Sequence, residues 1–325
     1  MIDFGYLLQD TSAYKTVKTD CINQKISHAY LITIPDEKLL KEYLKEFVKL
    51  IMCDDGACGK CRNCKLIDGE VHSDVMFFPR EGETLSVSDI NTLVEESYYK
   101  PIEGEKKVFV ISSAHLLNTQ SQNKLLKTLE EPPKGVYIIL GAINEFALLP
   151  TIKSRVKRLG IGAIQNEKLL NCLQESCTNK ERLQKAVLFG DGSLGKALSL
   201  YSDENFIVAM DLAKDLIENM KSSTEVLKYS VKISELKIPV KEFFAILEMY
   251  FRDLLMLVNN KNELIKSKNY EELPSDFGYK EGSILYAISK IEQANLRENS
   301  NTNQTMLIEW LLFGILEGKH KWQKL

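Results

Sequence analysis

Four of the seven cysteines fall between positions 53 and 64, where Cys53, Cys58, Cys61 and Cys64 are spaced C-x4-C-x2-C-x2-C. Four sulfurs converge only if the backbone turns sharply between them, and Gly56, Gly59 and Asn63 supply residues suited to such turns. Four thiolates fill a tetrahedral zinc shell and leave no position for water, so the pattern predicts a structural zinc site and no Lewis-acid catalyst. A closed site of this kind supplies about 10 kcal/mol of local folding energy. His72 lies nearby as a surplus ligand type, and a redox pair of Cys61 and Cys64 would leave the other two unexplained. Cys21, Cys172 and Cys177 read as ordinary thiols. An odd count with four cysteines clustered points to a metal and away from a disulfide framework.

A second group of chemically capable residues is the basic stretch Lys153-Ser154-Arg155-Val156-Lys157-Arg158. By pattern alone, Arg155 is equally an ordinary surface arginine and a phosphate-directed one. His28 reads as packing at a strand entry. For His115, spacing suggests no cysteine, serine or carboxylate partner. Lys106, Lys107 and Lys127 could meet DNA phosphates, but scattered lysines on a chain of formal charge −3 read as solvation. With 42 Lys plus Arg against 45 Asp plus Glu, 44% hydrophobic and 27% charged residues, composition excludes both a disordered chain and a dedicated basic nucleic-acid binder.

The elements that must position these residues change character near Gly160. Before it, short apolar runs alternate with helical patterns, the mark of a mostly parallel sheet covered by helices. Strands are predicted at Ala29 to Thr33, Val75 to Phe78, Val108 to Ser112 and Val136 to Leu140, with helices over 37–51, 86–98 and 118–130. Asn118 caps the last helix and Pro132-Pro133 ends it. After Gly160 helices are expected at 166–177, 179–189, 193–201, 204–220, 223–235, 239–259, 281–296 and 304–317. Asp191-Gly192-Ser193 breaks this pattern, Asp203 is a cap, and a long loop is expected from Asn259 to Lys280. Apolar runs such as Leu311 to Leu316 fall short of the roughly 20 residues that cross a bilayer. With an opening Met-Ile-Asp-Phe-Gly that lacks a basic and apolar leader, a cytoplasmic protein is expected.

The run Asn123-Lys124-Leu125-Leu126-Lys127-Thr128-Leu129-Glu130-Glu131-Pro132-Pro133 closely resembles a sequence of bacterial clamp-loader subunits, AAA+ proteins of DNA polymerase III. Ser27-His28-Ala29-Tyr30-Leu31 resembles the family's first-strand entry. The four cysteines sit where its zinc module lies, and Leu149-Pro150-Thr151-Ile152-Lys153-Ser154-Arg155 resembles the run ending in its Ser-Arg-Cys motif. The likeness is close over residues 1–160 and extends to the helical remainder in architecture only.

The resemblance implies a RecA-like AAA+ α/β domain over residues 1–160 with a zinc module at about 50–75, a small helical lid over 161–203 and an all-α collar over 204–325. Motor subunits of the family carry the phosphate loop G-x-x-x-x-G-K-[ST] after the first strand. Here that place reads Thr33-Ile34-Pro35-Asp36-Glu37-Lys38-Leu39-Leu40-Lys41. Pro35 has no N–H to donate, and Asp36 with Glu37 would repel a triphosphate. The strand Val108 to Ile111 runs into Ser112-Ser113-Ala114-His115 where acidic magnesium ligands would follow, and Gly141-Ala142 replace a polar sensor. ATP is therefore expected neither to bind nor to be hydrolysed by this chain.

Arg155, flanked by Ser154, resembles the family's arginine finger, which acts in trans on a neighbour's nucleotide; Val156 replaces the family's cysteine. Gly192-Ser193-Leu194-Gly195-Lys196-Ala197-Leu198 resembles the lid motif whose basic residue senses nucleotide, and with none to sense Lys196 reads as solvated. The implied partners are gamma/tau-type motor subunits and a delta-type subunit, joined through the collar, whose helices at 239–259 and 304–317 are apolar around much of their circumference. The sliding clamp would be reached indirectly and primed DNA through the complex, with no membrane. Two other readings stand beside this one: an active AAA+ ATPase with an irregular phosphate loop, and a zinc-stabilised scaffold without a nucleotide-linked role.

Overall fold

A computed structural model of the chain describes residues 2–80, 85–261, 265, 278–298 and 303–323. It divides into two units, Met1–Leu198 and Ser199–Leu325. The first opens with helices α1 (Phe4–Leu8) and α2 (Ser12–Ile22), followed by strand β1 (Ala29–Thr33). Helices α3 (Leu40–Met52) and α4 (Arg62–Asp68) lead to β2 (Val75–Phe78), and α5 (Val87–Ser97) to β3 (Lys107–Ile111). A 3-10 turn at Ala114–Leu116 precedes α6 (Thr119–Glu130), β4 (Val136–Ala142), α7 (Pro150–Lys153) and β5 (Lys157–Gly160). Three helices follow: α8 (Asn166–Leu173), α9 (Lys180–Gly190) and α10 (Leu194–Ser202).

The strands form one five-stranded sheet in the order β2-β3-β4-β1-β5, and every pairing is parallel. Register is set by pairs such as Ala29 with Ile138 and Val75 with Val108. Parallel strands need crossovers, and the helices between them cover the sheet, so the inner strands are apolar throughout. All of Lys107–Ile111 is buried, as are the first four residues of β1. The core gathers Leu31, Phe78, Phe109, Ile111, Ile138 and Leu140 with Leu125 and Leu129 of α6. This is the α/β sheet expected of a RecA-like domain.

The four anticipated strands are present. A fifth, β5, was not anticipated: it is the edge strand Lys157-Arg158-Leu159-Gly160, whose charges suit an edge and hide a strand pattern. Helix α3 begins at Leu40, later than expected, because residues 35–39 turn away from β1 before the helix starts. Helix α6 keeps its expected limits, with the Asn118 Oδ1 accepting the Ser121 N–H at 2.8 Å.

The second unit is all helical in its described residues: α11 (Glu204–Asn219), α12 (Ser223–Ser234), α13 (Val240–Val258), α14 (Glu281–Glu298) and α15 (Gln304–Gln323). Asp203 caps α11, and Ser222 with Glu225 forms a capping box on α12. Most of the loop expected between Asn259 and Lys280 lies outside the described residues. Among the described residues no helix is long and apolar enough to cross a membrane.

Phe109 is fully buried in the middle of the inner strand β3, its ring centroid 6.5 Å from that of Phe78. Phe109→Ala should therefore cost about 3–5 kcal/mol of stability in urea unfolding. A loss below about 1 kcal/mol would show that β3 does not carry the core.

Candidate functional site

Cys53 ends α3 as its C-cap and Cys61 begins α4 as its N-cap, so two helix termini deliver two of the four sulfurs. Between them Gly56, Ala57 and Gly59 adopt positive φ, which winds the chain back on itself. The result brings one sulfur from each of Cys53, Cys58, Cys61 and Cys64 to within 4.8 Å of one another. Cys53 Sγ lies 3.6 Å from Cys58 Sγ and 3.7 Å from Cys61 Sγ. A tetrahedron with Zn–S bonds of about 2.3 Å has edges of about 3.8 Å, so the donor set fits zinc.

The electrostatics are divided across the cluster. Backbone N–H groups of Lys60 and Cys61 point at Cys58 and pull its thiol down to about 7, favouring the thiolate a metal requires. Burial pushes the Cys64 thiol up, the cost that a bound cation would offset. His72 is already committed, its Nδ1 accepting the Asp74 N–H at 3.1 Å. Cys21, Cys172 and Cys177 lie outside the cluster.

Polar contacts fasten the module to the sheet. Asn63 Nδ2 donates to the Met52 carbonyl at 3.0 Å and Lys106 Nζ to the Ile51 carbonyl at 2.7 Å. Arg62 forms a two-pronged pair with Glu103 at 2.7 and 3.2 Å. The carboxylate of Asp74, fully buried, receives the N–H groups of Ile102 and Glu103 at 2.6 and 2.7 Å.

At the carboxyl edge of the sheet, the Ile34 N–H continues the ladder to the Ala142 carbonyl at 2.9 Å, and Pro35 then turns the chain. Asp36 is 4% exposed, and its Oδ2 accepts the Gly195 N–H at 2.8 Å and the Tyr43 hydroxyl at 3.4 Å. Burial, then the Asp36 charge, pushes the Tyr43 phenol up. Near the end of β4, a Cβ on Gly141 would collide with Leu44 Cδ1, so α3 closes against the strand there. After β3, Ser112 and His115 are buried or nearly so, and His115 Nε2 stands 3.8 Å from Glu37 Oε1. Desolvation outweighs this carboxylate and holds the His115 pKa below its usual value. Glu37 and His115 lie on separate segments, so only folding makes them neighbours.

Arg155 follows α7, whose Pro150 sits at the N-terminus where a missing N–H costs nothing. Its Nη1 donates to the Thr151 carbonyl at 2.9 Å and to Ser154 Oγ at 3.2 Å, while Nη2 lies 2.6 Å from Glu130 Oε1. The side chain remains 34% exposed, with a planar fork of donors at the surface. Val156 packs against the sheet core, so the apolar contact of that position survives the change from cysteine. Lys196 is exposed.

Two residues that hold Arg155 and its approach in place have no mark in the spacing of the sequence. Glu130 lies in the run Asn123 to Pro133, 25 positions before Arg155, and only the fold brings the two together. Gln122, buried on α6, donates to the Leu117 and Ala147 carbonyls, each at 3.0 Å, and accepts the Leu149 N–H at 2.8 Å. It thereby fixes the segment that enters α7 and presents Arg155.

Residues 9–165 match the family model described as DNA polymerase III, delta subunit. The chain is 29% identical over 213 residues to the DNA polymerase III subunit gamma of Buchnera aphidicola subsp. Schizaphis graminum, covering 62% of this chain and 57% of that protein. It is 32% identical over 187 residues to the subunit tau of Escherichia coli, covering 54% and 29%. Against the subunit delta' of Bacillus subtilis it is 24% identical over 315 residues, covering 94% of each. The chain thus spans under two thirds of its gamma and tau relatives and nearly all of the delta' relative.

The sulfur geometry predicts about one zinc per chain by elemental analysis, lost in Cys58→Ser and Cys61→Ser proteins. Loss of the metal should lower stability by several kcal/mol on the order expected for a closed site. Full zinc content in both variants would eliminate the cluster as a metal centre.

Proposed function

We propose that the chain is a delta-prime-type subunit of the bacterial DNA polymerase III clamp loader and works as its non-hydrolysing member. In this reading it completes the ATP site of a neighbouring motor subunit with Arg155, and so helps place the sliding clamp on primed DNA. Ser154 steadies the guanidinium through its Oγ. A planar, permanently charged fork suits charge spread over a transferring phosphoryl group.

The observation that carries this reading is the buried carboxylate of Asp36. It occupies the end of β1, where a motor subunit would need N–H groups aimed at phosphate, and puts negative charge there instead. In this reading chemistry at a nucleotide comes from a partner, and the partly exposed donor fork of Arg155 supports a role in reaching it.

The partners in this reading are gamma/tau-type motor subunits and a delta-type subunit. The sliding clamp is met indirectly and primed DNA through the complex. Residues 161–203 serve as a lid and 204–325 as a collar. Exposed apolar side chains on the second unit, such as Val208, Leu227 and Val231, support a role for that unit in assembly. Zinc held by Cys53, Cys58, Cys61 and Cys64 is structural, and the protein acts in the cytoplasm.

In a reconstituted complex, Arg155→Ala should slow hydrolysis at the one motor site it completes by about 10³-fold, with subunit assembly unchanged. Arg155→Lys should fail to restore the rate, because a point charge does not reproduce the fork. DNA-stimulated ATPase and single-turnover hydrolysis that are unaltered in the assembled Arg155→Ala complex would remove Arg155 from the mechanism.

A further inference from the structure

We propose that the Asp36 carboxylate is a built-in anion that latches the N-terminal end of α10 to the carboxyl edge of the sheet, so that this end holds its position with no nucleotide present. In open parallel sheets, ligands settle outside the carboxyl ends of the strands, and the N-terminus of a helix attracts negative charge through its free N–H groups. Both features meet at Asp36. It lies three residues past the end of β1, it is almost fully removed from solvent, and its Oδ2 lies 2.8 Å from the N of Gly195 in the first turn of α10. The two residues are 159 positions apart, so the bond joins distant parts of the first unit.

The surrounding residues are shaped for this contact. A Cβ on Gly195 would lie 2.5 Å from Asp36 Oδ1 and 3.1 Å from Lys38 Cβ, so only glycine lets the carboxylate approach the helix. Gly192, at φ +79°, would drive a Cβ to 2.5 Å from Ala163 Cβ, and its carbonyl accepts the Ile164 N–H at 3.0 Å. Gly190 is pressed against Ala197, where a Cβ would come within 2.9 Å. Three close approaches and one buried carboxylate thus define a single seat for residues 190–198. Tyr43 braces the carboxylate from α3, with its hydroxyl 3.4 Å from the same oxygen. These contacts are internal to the chain and do not rest on the role given to Arg155.

Hydrogen exchange on the full-length chain tests the latch directly. Asp36→Ala should speed exchange of amides in residues 193–198 by about tenfold to a hundredfold, while β1 and β3 keep their protection. Gly195→Ala should produce the same local loosening by forcing the carboxylate off the helix. The double variant should exchange no faster there than Asp36→Ala, since both changes break one contact. Added magnesium ATP should not slow exchange at 193–198 in the unaltered chain. If Asp36→Ala proves too unstable to study, Gly195→Ala alone decides. Unchanged protection of 193–198 in the variants, or additive effects in the double variant, would overturn the latch.

Discussion

The carboxylate of Asp36, held almost out of solvent between β1 and the first turn of α10, fixes what the carboxyl edge of this sheet can do. A parallel sheet gathers its strand ends on one side, and a loop there normally offers backbone N–H groups to a bound anion. Here Pro35 has none to give, the anion is covalently part of the chain, and Leu44 closes against Gly141 beside it. Burying a charge without partners is expensive, which is why the Gly195 N–H and Tyr43 hydroxyl converge on Asp36. The end of β1 is consequently a packed part of the fold in which the Asp36 carboxylate has its partners.

The four cysteines and Arg155 are each held by neighbours in the same domain. The four cysteines are presented by the end of α3 and the start of α4. Arg62, Asn63 and Lys106 bind that corner to adjacent backbone and to Glu103. Arg155 depends in turn on Gln122, which organises the approach to α7, and on Glu130, which pairs with the guanidinium. An exposed pair of this type contributes little to stability, on the order of 1 kcal/mol or less, so releasing the guanidinium from Glu130 costs little.

Much of this was legible because local chemistry and global fold agree. Continuous apolar runs such as Val108 to Ile111 are what strands buried on both faces require, and Asn118 with Pro132-Pro133 bracket α6 without any tertiary help. The cysteine cluster was readable because all four ligands lie within one short segment. What stayed hidden was either atypical or long-range. Strand β5 reads as a basic stretch, and α2 buries only Ala13, Tyr14 and Val17, leaving a weak periodic signal. Asp36 was legible as a residue hostile to triphosphate, whereas its bond to Gly195 crosses most of the first unit. The proximity of Glu37 to His115 and of Glu130 to Arg155 likewise arises from folding, with no mark in spacing.

The position after β1 is occupied by the chain's own carboxylate, which would repel a nucleotide phosphate. Equilibrium titration of magnesium ATP into the full-length chain alone, followed by calorimetry, measures this most directly. The account predicts no saturable binding at millimolar nucleotide. Stoichiometric binding with a micromolar dissociation constant would contradict it.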